Sequence, residues 1–356
     1  STNPAATPAN KTINALKGRN AIILAPSPKG DQTCAKLVEL MQRELNRVGA
    51  PIDLVQKLPS PVSKSATESL MKSVDLIVAT GSQNNVRNAY SSGTPAIGVG
   101  AGNVVSIVDE TANVDDAASK IVVSKSFDNA TSCSSENNLI IVESQYDAMI
   151  AALAKHGALL LSDAQKRTLQ SVMWQQGKLN QAVIARNANE ILDRAGLGVV
   201  VDALPRILLV EETAWGSHAP FSGEKLSPVL TVYRAQDFDD ARQIAEGIME
   251  YQGKGHSISI HTQDAQRPMQ IGLEMPVCRV IVNQIHCYAT GGSFDNGLPF
   301  SLSMGCGTWG ENSISDNMNY RHYLNTTRIS TAIERREPTD ETIFGDYWTR
   351  FDCRPH

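Results

Sequence analysis

Short aliphatic runs recur along the chain between longer stretches of mixed polarity, and their lengths read as buried strands alternating with amphipathic helices. Ala21–Ala25 is the first such run; Ala35–Val48 follows with helical spacing and stops at Gly49; Leu76–Ala79 is a second buried strand. The turn Thr80-Gly81-Ser82-Gln83 closes that strand and opens a helix, a junction that offers backbone N–H groups and a positive dipole end to a phosphate. This alternation over residues 1–110 predicts an α/β fold with a parallel sheet covered by helices. A boundary is expected near Val105. Residues 1–104 then form one domain and 105–318 a second, while the polar tail 319–356 is either a disordered end or an oligomer contact. In the second part Asp115–Val123, Tyr146–Leu161 and Asp163–Gln175 have helical spacing, the last capped by Ser162. Asn138–Val142, Arg206–Val210, Gly255–Thr262 and Val280–Asn283 read as strands.

Composition narrows the function more than the fold. With 356 residues, 42% of them hydrophobic, the chain can bury two sizeable cores. A formal net charge of -5 gives no general pull toward nucleic acid or an anionic membrane, so neither is expected as a partner. Six cysteines, at positions 34, 133, 278, 287, 306 and 353, show no CxxC pair and no metal-ligand rhythm with the seven histidines. No metal is expected, and free thiols imply a reducing compartment. No apolar run approaches a membrane span and no leader opens the chain, which begins at Ser1, so the expected location is cytoplasmic.

One cysteine stands apart. Cys133 lies among small polar residues just upstream of the apolar run Asn138–Val142, where a loop on a rigid element can aim it at a ligand. A free thiol titrates near about 8.5, so a nucleophilic role requires a lowered pKa or a neighbouring base. On spacing alone it reads as well as a small core hydrophobe.

Phe127-Asp128-Asn129, then Cys133 and Ser135-Glu136, resembles the nucleophile segment of the aldehyde dehydrogenase superfamily in its CoA-acylating branch. The resemblance spans almost the whole chain and implies a Rossmann-type cofactor domain followed by an α/β catalytic domain. It makes Cys133 the nucleophile. Thr2-Asn3-Pro4 resembles the family's asparagine loop, which implies that the Asn3 amide and the Cys133 backbone N–H hold the oxyanion formed on the aldehyde; without the family, Asn-Pro reads as a turn or a frayed end. By the same resemblance Gly81 and Ser82 meet the cofactor diphosphate, and Ser27, Pro28 and Lys29 border the adenosine ribose. Gly30 stands where NAD-preferring relatives carry an acid, and with Lys29 beside it NADP becomes acceptable as well as NAD, although Asp31 is close.

In Ala96–Asn103, Val99 occupies the position of the glutamate that activates water in hydrolytic relatives, and Gly100 borders the cofactor. A valine cannot take a proton, so the acyl group is expected to pass to the thiol of coenzyme A. Glu224, opening Glu224–Leu230, is implied to accept the nicotinamide ribose hydroxyls, and His256 resembles a family histidine near the cofactor cleft. Thr131, Ser132, His286 and Thr290 are candidates for the aldehyde pocket, while Cys306 reads as packing.

The expected reaction is NAD(P)-dependent oxidation of an aldehyde to its acyl-CoA through a cysteine thioester, in a homo-oligomer whose partners are the small aldehyde and coenzyme A. Ala21–Lys29, Asn129–Ser135 and Asp346–Arg354 are most similar to members acting on sulfoacetaldehyde, with succinate-semialdehyde and acetaldehyde enzymes next. Relatives extend well before the asparagine loop, which raises the expectation that this chain is part of a longer one. A reading of another class is an inactive nucleotide-binding scaffold, which would have no use for Cys133, Asn3 and Glu224.

Overall fold

Seven parallel strands, most of them buried on both faces, carry the site. The structure is a computed structural model that describes residues 3–81, 83–198 and 204–354. It divides into two units, Ser1–Tyr323 and Leu324–His356.

The first unit opens with α1 (Ala6–Lys17), β1 (Ile22–Leu24), α2 (Asp31–Arg47) and β2 (Val55–Lys57). It continues through α3 (Lys64–Met71), β3 (Ile77–Ala79), α4 (Gln83–Tyr90) and β4 (Ala96–Gly98). Here β1 pairs with β2 and β3 with β4, both in parallel, as two separate small sheets. From β5 (Val104–Val108) the chain builds the large sheet, passing through α5 (Val114–Ser126), β6 (Glu136–Val142), α6 (Tyr146–Lys155), β7 (Ala158–Leu160) and α7 (Asp163–Met173). A short antiparallel ribbon of β8 (Trp174–Gln175) and β9 (Lys178–Leu179) precedes α8 (Ala188–Arg194). Then come β10 (Ile207–Glu211), β11 (Val229–Ala235), α9 (Phe238–Tyr251), β12 (Ile258–His261), α10 (Arg267–Glu274), β13 (Val280–Val282) and α11 (His286–Ala289). The strand order is β13-β12-β5-β6-β11-β10-β7, every pair parallel.

All seven residues of β6 are buried, as expected of a strand covered by helices on both faces. Ile140 packs with Val105 and α9 on one side, while Leu139 and Ile141 pack with α5 and α6 on the other. Each such aliphatic side chain contributes about 1.5–3 kcal/mol of burial free energy. The helix expected over Tyr146–Leu161 ends at Lys155. Gly157, at φ +100°, turns the chain, and Ala158–Leu160 becomes the edge strand pairing with β10. The aliphatic residues there had a helical spacing but serve a sheet edge. Ser162 and Gln165 form a reciprocal capping box at α7, as the Ser-Asp start predicted.

The second unit holds α12 (Asp340–Phe351), capped by Thr339 Oγ1, in place of a wholly disordered end. Among the described residues no helix is long and apolar enough to cross a membrane.

Candidate active site

The Cys133 loop and three others, those of Gly102, Glu224 and His256, all lie where the chain enters the large sheet. Gly102 stands two residues before β5, Cys133 three before β6, Glu224 five before β11 and His256 two before β12. Ligands of parallel α/β sheets usually sit at the opposite, carboxyl ends, where helix N-termini supply N–H groups. Polarity at the entering ends has to come from side chains.

The nucleophile loop begins where α5 stops. Backbone φ is +49° at Asp128, +50° at Asn129 and +58° at Ala130, a left-handed run costing roughly 1–2 kcal/mol per residue for side chains that do not tolerate it. Asp and Asn tolerate it best, which explains the Asp-Asn pair, and the small Ala130 follows. Thr131 Oγ1 locks the turn by donating to the Asp128 carbonyl at 3.0 Å and its carboxylate at 2.8 Å, and Asn129 Nδ2 donates to the Ala185 carbonyl at 3.1 Å. Behind the loop, Gly102 comes so close that a Cβ there would lie 2.0 Å from the Cys133 carbonyl oxygen.

Cys133 Sγ lies 3.3 Å from His256 Nε2. Burial, then the charges of Glu224 and Cys306, push the thiol up to about 12, although the residue keeps partial contact with solvent. Burial, then the Arg279 guanidinium, pull His256 down to about 3. At neutral pH the pair is therefore an intact thiol beside a neutral imidazole, and the 3.3 Å geometry places a ring nitrogen where it could receive the thiol proton as the sulfur attacks. His256 Nδ1 contacts Ser257 Oγ at 2.8 Å, which in turn contacts His286 Nε2 at 2.9 Å.

Arg279, 5% exposed, holds the histidine loop from behind. Its Nη1 donates to the carbonyls of His256 at 3.1 Å and Gly305 at 2.9 Å, Nη2 to Ser315 at 3.1 Å, and Nε to Asn317 Oδ1 at 2.6 Å. A buried lattice of amides ties the remaining loops together. Asn103 Nδ2 donates to the Ser222 carbonyl at 2.8 Å; Asn138 Nδ2 donates to Asn103 Oδ1 and to the Ser222 carbonyl, both at 3.1 Å. Asn137 Oδ1 accepts the Lys225 N–H at 3.1 Å, and Gln252 Oε1 accepts the Glu224 N–H at 3.1 Å. Burial lifts the Glu224 carboxyl to about 7 against the pull of Lys125, Lys225 and the Gly102 N–H, and the side chain remains half-buried at the site. Glu136, which accepts from Ser124 Oγ at 2.6 Å, is lifted to about 7, and Lys125 is lowered to about 7, both chiefly by burial.

The other predicted residues divide. Ser132 Oγ accepts the Ser134 N–H at 3.2 Å within the nucleophile loop. Asn3 Oδ1 accepts the Ala6 N–H at 2.8 Å, so the head of α1 fixes its carboxamide. Pro4 abuts Gly30, which brings the Asn-Pro turn against the Ser27–Gly30 turn; there Pro28 and Lys29 are exposed and Ser27 is half-buried. Gly81 has φ +113°, and Ser82 lies outside the described residues. The Gly100 N–H is engaged by Asn312 Oδ1 at 3.0 Å, and a Cβ on Gly100 would lie 3.2 Å from Cys306 Sγ, so this glycine packs against the Cys306 segment. Val99 is buried against the end of β3, its N–H on the Ala79 carbonyl at 3.2 Å. His286 and Thr290 are both fully buried, with Thr290 Oγ1 donating to the His286 carbonyl at 2.8 Å.

Sequence reasoning named His256 without its Cys133 partner and did not single out Ser257, Arg279 or the asparagine lattice. A signal existed in the Asn137-Asn138 pair at the head of an aliphatic strand, since polar side chains forced into a core need dedicated partners.

Residues 3–182 match the Aldehyde dehydrogenase family. The chain is 57% identical to the acylating sulfoacetaldehyde dehydrogenase of Cupriavidus necator, over 98% of this chain and 71% of that one. Its fold is similar to an acetylating aldehyde dehydrogenase from Geobacillus thermoglucosidasius, with a TM-score of 0.90, 35% identity and coverage of 95% of this chain and 74% of that chain. It is also similar to a Rhodopseudomonas palustris propionaldehyde dehydrogenase solved with bound CoA and an acylated cysteine, with a TM-score of 0.82, 28% identity and coverage of 91% and 72%.

Proposed function

The chain belongs to the aldehyde dehydrogenase family, and from that membership we propose that it oxidises an aldehyde with NAD(P)+ and passes the acyl group to coenzyme A through a thioester on Cys133. The observation that carries this reading is the 3.3 Å approach of the Cys133 sulfur to His256 Nε2, with valine at residue 99 of the loop that reaches Gly102. As the sulfur attacks the carbonyl carbon and the S–C bond forms, His256 Nε2 takes the thiol proton, and the carbonyl π electrons move onto oxygen. The Asn3 amide and the Cys133 N–H hold that oxygen, a stabilisation of about 2.7–4 kcal/mol per donor in related chemistry.

The residues present fit a dinucleotide. Gly81 leaves β3 with only the Asn85 amide near the place of a Cβ, at 3.9 Å, so its backbone is open to a diphosphate ahead of α4. Ser27–Lys29 leave β1 ahead of α2 in the same way, and the Glu224 carboxylate can accept ribose hydroxyls. Residues 1–104 are thereby assigned to dinucleotide binding and 105–318 to catalysis. When bound, NAD(P)+ supplies the acceptor for the aldehyde hydride.

Collapse of the oxyanion leaves an acyl group on Cys133. With Val99 unable to activate water, a CoA thiol is the competent acceptor: His256, neutral again once it has released the first proton to solvent, takes the CoA thiol proton, the new S–C bond forms, and the Cys133 sulfur leaves and is reprotonated from His256. Sulfoacetaldehyde is the favoured substrate on the strength of the 57% identical relative, with succinate semialdehyde and acetaldehyde behind it. Arg279 spends its donors on carbonyls and Asn317, so it offers an anionic aldehyde a positive field more than a direct bond. The reading includes self-association. Ile343, Phe344, Tyr347 and Phe351 of α12 are each 45–57% exposed at helical spacing, a face suited to a second copy of the chain.

The decisive test supplies each of the three aldehydes with NAD+ or NADP+, with and without CoA. Acyl-CoA formed only with CoA, fastest from sulfoacetaldehyde, is expected; equal yields of free acid without CoA would refute the acyl-transfer branch.

A further inference from the structure

We propose that Ser257 and His286 are positioning residues that fix His256 in the tautomer with its hydrogen on Nδ1, leaving Nε2 bare toward the Cys133 sulfur. The proposal deepens the reading above and rests on Cys133 as nucleophile and His256 as base. It follows from hydrogen bookkeeping along a row of side chains in van der Waals seclusion. His256 and His286 are 0% exposed and Ser257 is 2% exposed, so bulk water does not supply alternative partners.

Three contacts make the row: sulfur to His256 Nε2 at 3.3 Å, His256 Nδ1 to Ser257 Oγ at 2.8 Å, and Ser257 Oγ to His286 Nε2 at 2.9 Å. Each neutral imidazole carries one hydrogen and the serine hydroxyl carries one, so a fully bonded row that uses the serine hydrogen admits two directions only; with Ser257 accepting from both rings, His256 again carries its hydrogen on Nδ1. In the first, the thiol donates to His256 Nε2, His256 Nδ1–H donates to Ser257 Oγ, and the Ser257 hydroxyl donates to His286 Nε2. In the second every arrow reverses, and His256 Nε2–H points at the sulfur. The first direction ends each bond on nitrogen or oxygen. The second ends one on sulfur, a weak acceptor, and leaves the thiol hydrogen without the ring nitrogen as its partner. The first is therefore favoured, and it is the direction in which His256 can accept a proton.

A fixed tautomer matters because an imidazole with hydrogen on the wrong nitrogen cannot act as base however well placed it is. The remaining ring nitrogen, His286 Nδ1, makes no hydrogen bond among the described residues. That nitrogen carries the ring hydrogen in the first direction and is bare in the second, unpartnered in both, so the choice between them is made at the sulfur. Arg279 sits behind the row with its Nη1 on the His256 carbonyl, which fixes the backbone that carries the ring.

The experiment is ¹⁵N NMR of histidine-labelled full chain, together with the rate of Cys133 alkylation by iodoacetamide and kcat. Wild type is expected to show a protonated, pyrrole-like Nδ1 and a bare, pyridine-like Nε2 at His256. Ser257→Ala should lose that pattern, with alkylation and kcat both falling about a hundredfold while KM for the aldehyde stays near wild type. Ser257→Thr keeps the hydroxyl and should restore both. His286→Phe removes the acceptor for Ser257 and should behave as Ser257→Ala does. A wild-type His256 with hydrogen on Nε2, or a Ser257→Ala variant with unchanged nitrogen pattern and alkylation rate, would overturn the proposal. His256→Ala separates the two levels. If it alkylates and turns over normally, the base assignment itself fails; if it is crippled while Ser257→Ala is not, only the tautomer device falls.

Discussion

The loops that enter strands and the loops that leave them are built on different principles in this molecule. Where the chain leaves β1 and β3, the turns at Ser27–Gly30 and Gly81 run into α2 and α4, and the regular geometry of a helix start supplies donors for an anion. Their small cores are apolar, Leu24, Cys34, Val38 and Val55 in one and Ile77, Ala79, Val86 and Ala89 in the other. Among the described residues from 15 to 102, no polar side chain is buried. Where the chain enters β5, β6, β11 and β12, by contrast, Asn103, Glu136, Asn137, Asn138, Lys225, His256 and Ser257 are all buried. On the proposed reading, the anion site at the strand exits is a generic one that comes with the fold. A reacting sulfur at strand entries has no helix terminus to lean on, so its surroundings have to be assembled from side chains, each costly unless bonded.

The largest expected effect falls on the entering side. Gly102→Ala would place a Cβ 2.0 Å from the Cys133 carbonyl oxygen, a backbone atom that must move. Displacing the nucleophile by about 1 Å from His256 should lower kcat at least about 10²-fold. Acyl-CoA kinetics with a melting curve beside them checks this, and a variant that melts lower but turns over normally would show that the loop adapts.

Next in size is a pH effect from the buried charges behind that loop. Glu136 is 1% exposed and its carboxyl is raised to about 7, so the folded chain keeps a proton that the unfolded chain releases near pH 4. The native state then binds more protons than the unfolded state between those values, and stability contributed by this site falls as pH rises from about 4 to 7. Glu136→Gln removes the titration and can still accept from Ser124. Relative to wild type it should gain about 1–3 kcal/mol across that interval, read from chemical unfolding at several pH values. Parallel curves would mean that Lys125 neutralises Glu136 throughout.

These contrasts decide what the sequence could reveal. The aliphatic runs of β3, β6, β10 and β13 were legible because a strand buried on both faces must be apolar whatever surrounds it. Cys133 and Glu224 stood out through their motifs, and Gly81 through strand-to-helix chemistry that is local in sequence. His256 was visible only as a histidine on an alternating stretch. Its 3.3 Å approach to Cys133 joins residues 123 positions apart, and no local pattern encodes such a distance. The burial of His286 and Thr290 was hidden for the same reason: a glycine-rich loop after β13 looks like a pocket rim in one dimension, whereas packing leaves both side chains fully buried. The Tyr146–Leu161 stretch shows the limit of periodicity itself, since Gly157 at a positive φ ended the helix where the aliphatic spacing did not.

On the leaving side the expected effects are smaller and fall on binding. Gly81 holds φ +113°, and an alanine there would be strained by about 1–3 kcal/mol. The nearest atom to its Cβ is the Asn85 amide at 3.9 Å, so nothing at the nucleophile has to move. Gly81→Ala should raise KM for the dinucleotide about tenfold with kcat nearly unchanged, given that 1.4 kcal/mol is a factor of ten. An equal fall in kcat would erase the distinction between the two kinds of loop.

The finest test concerns which dinucleotide the exit of β1 accepts. Asp31 begins α2 within reach of that turn, yet its carboxylate is already engaged, by Lys57 Nζ at 2.6 Å and Ser60 Oγ at 2.5 Å. Those two bonds hold the acid below the usual carboxylate range, so it is ionised and its charge offsets the Lys57 ammonium. An acid spent on its own neighbours is a poor acceptor for a ribose 2′-hydroxyl, and a cation so offset is a weak lure for a 2′-phosphate. Asp31→Asn would uncover Lys57. The KM for NADP+ should fall about two- to fivefold, the range of a partly exposed ion pair, while the KM for NAD+ holds. If the KM for NAD+ rises and that for NADP+ holds, Asp31 leaves Lys57 to grip the ribose when the dinucleotide binds, and this exit turn would be as purpose-built as the entering loops around Cys133.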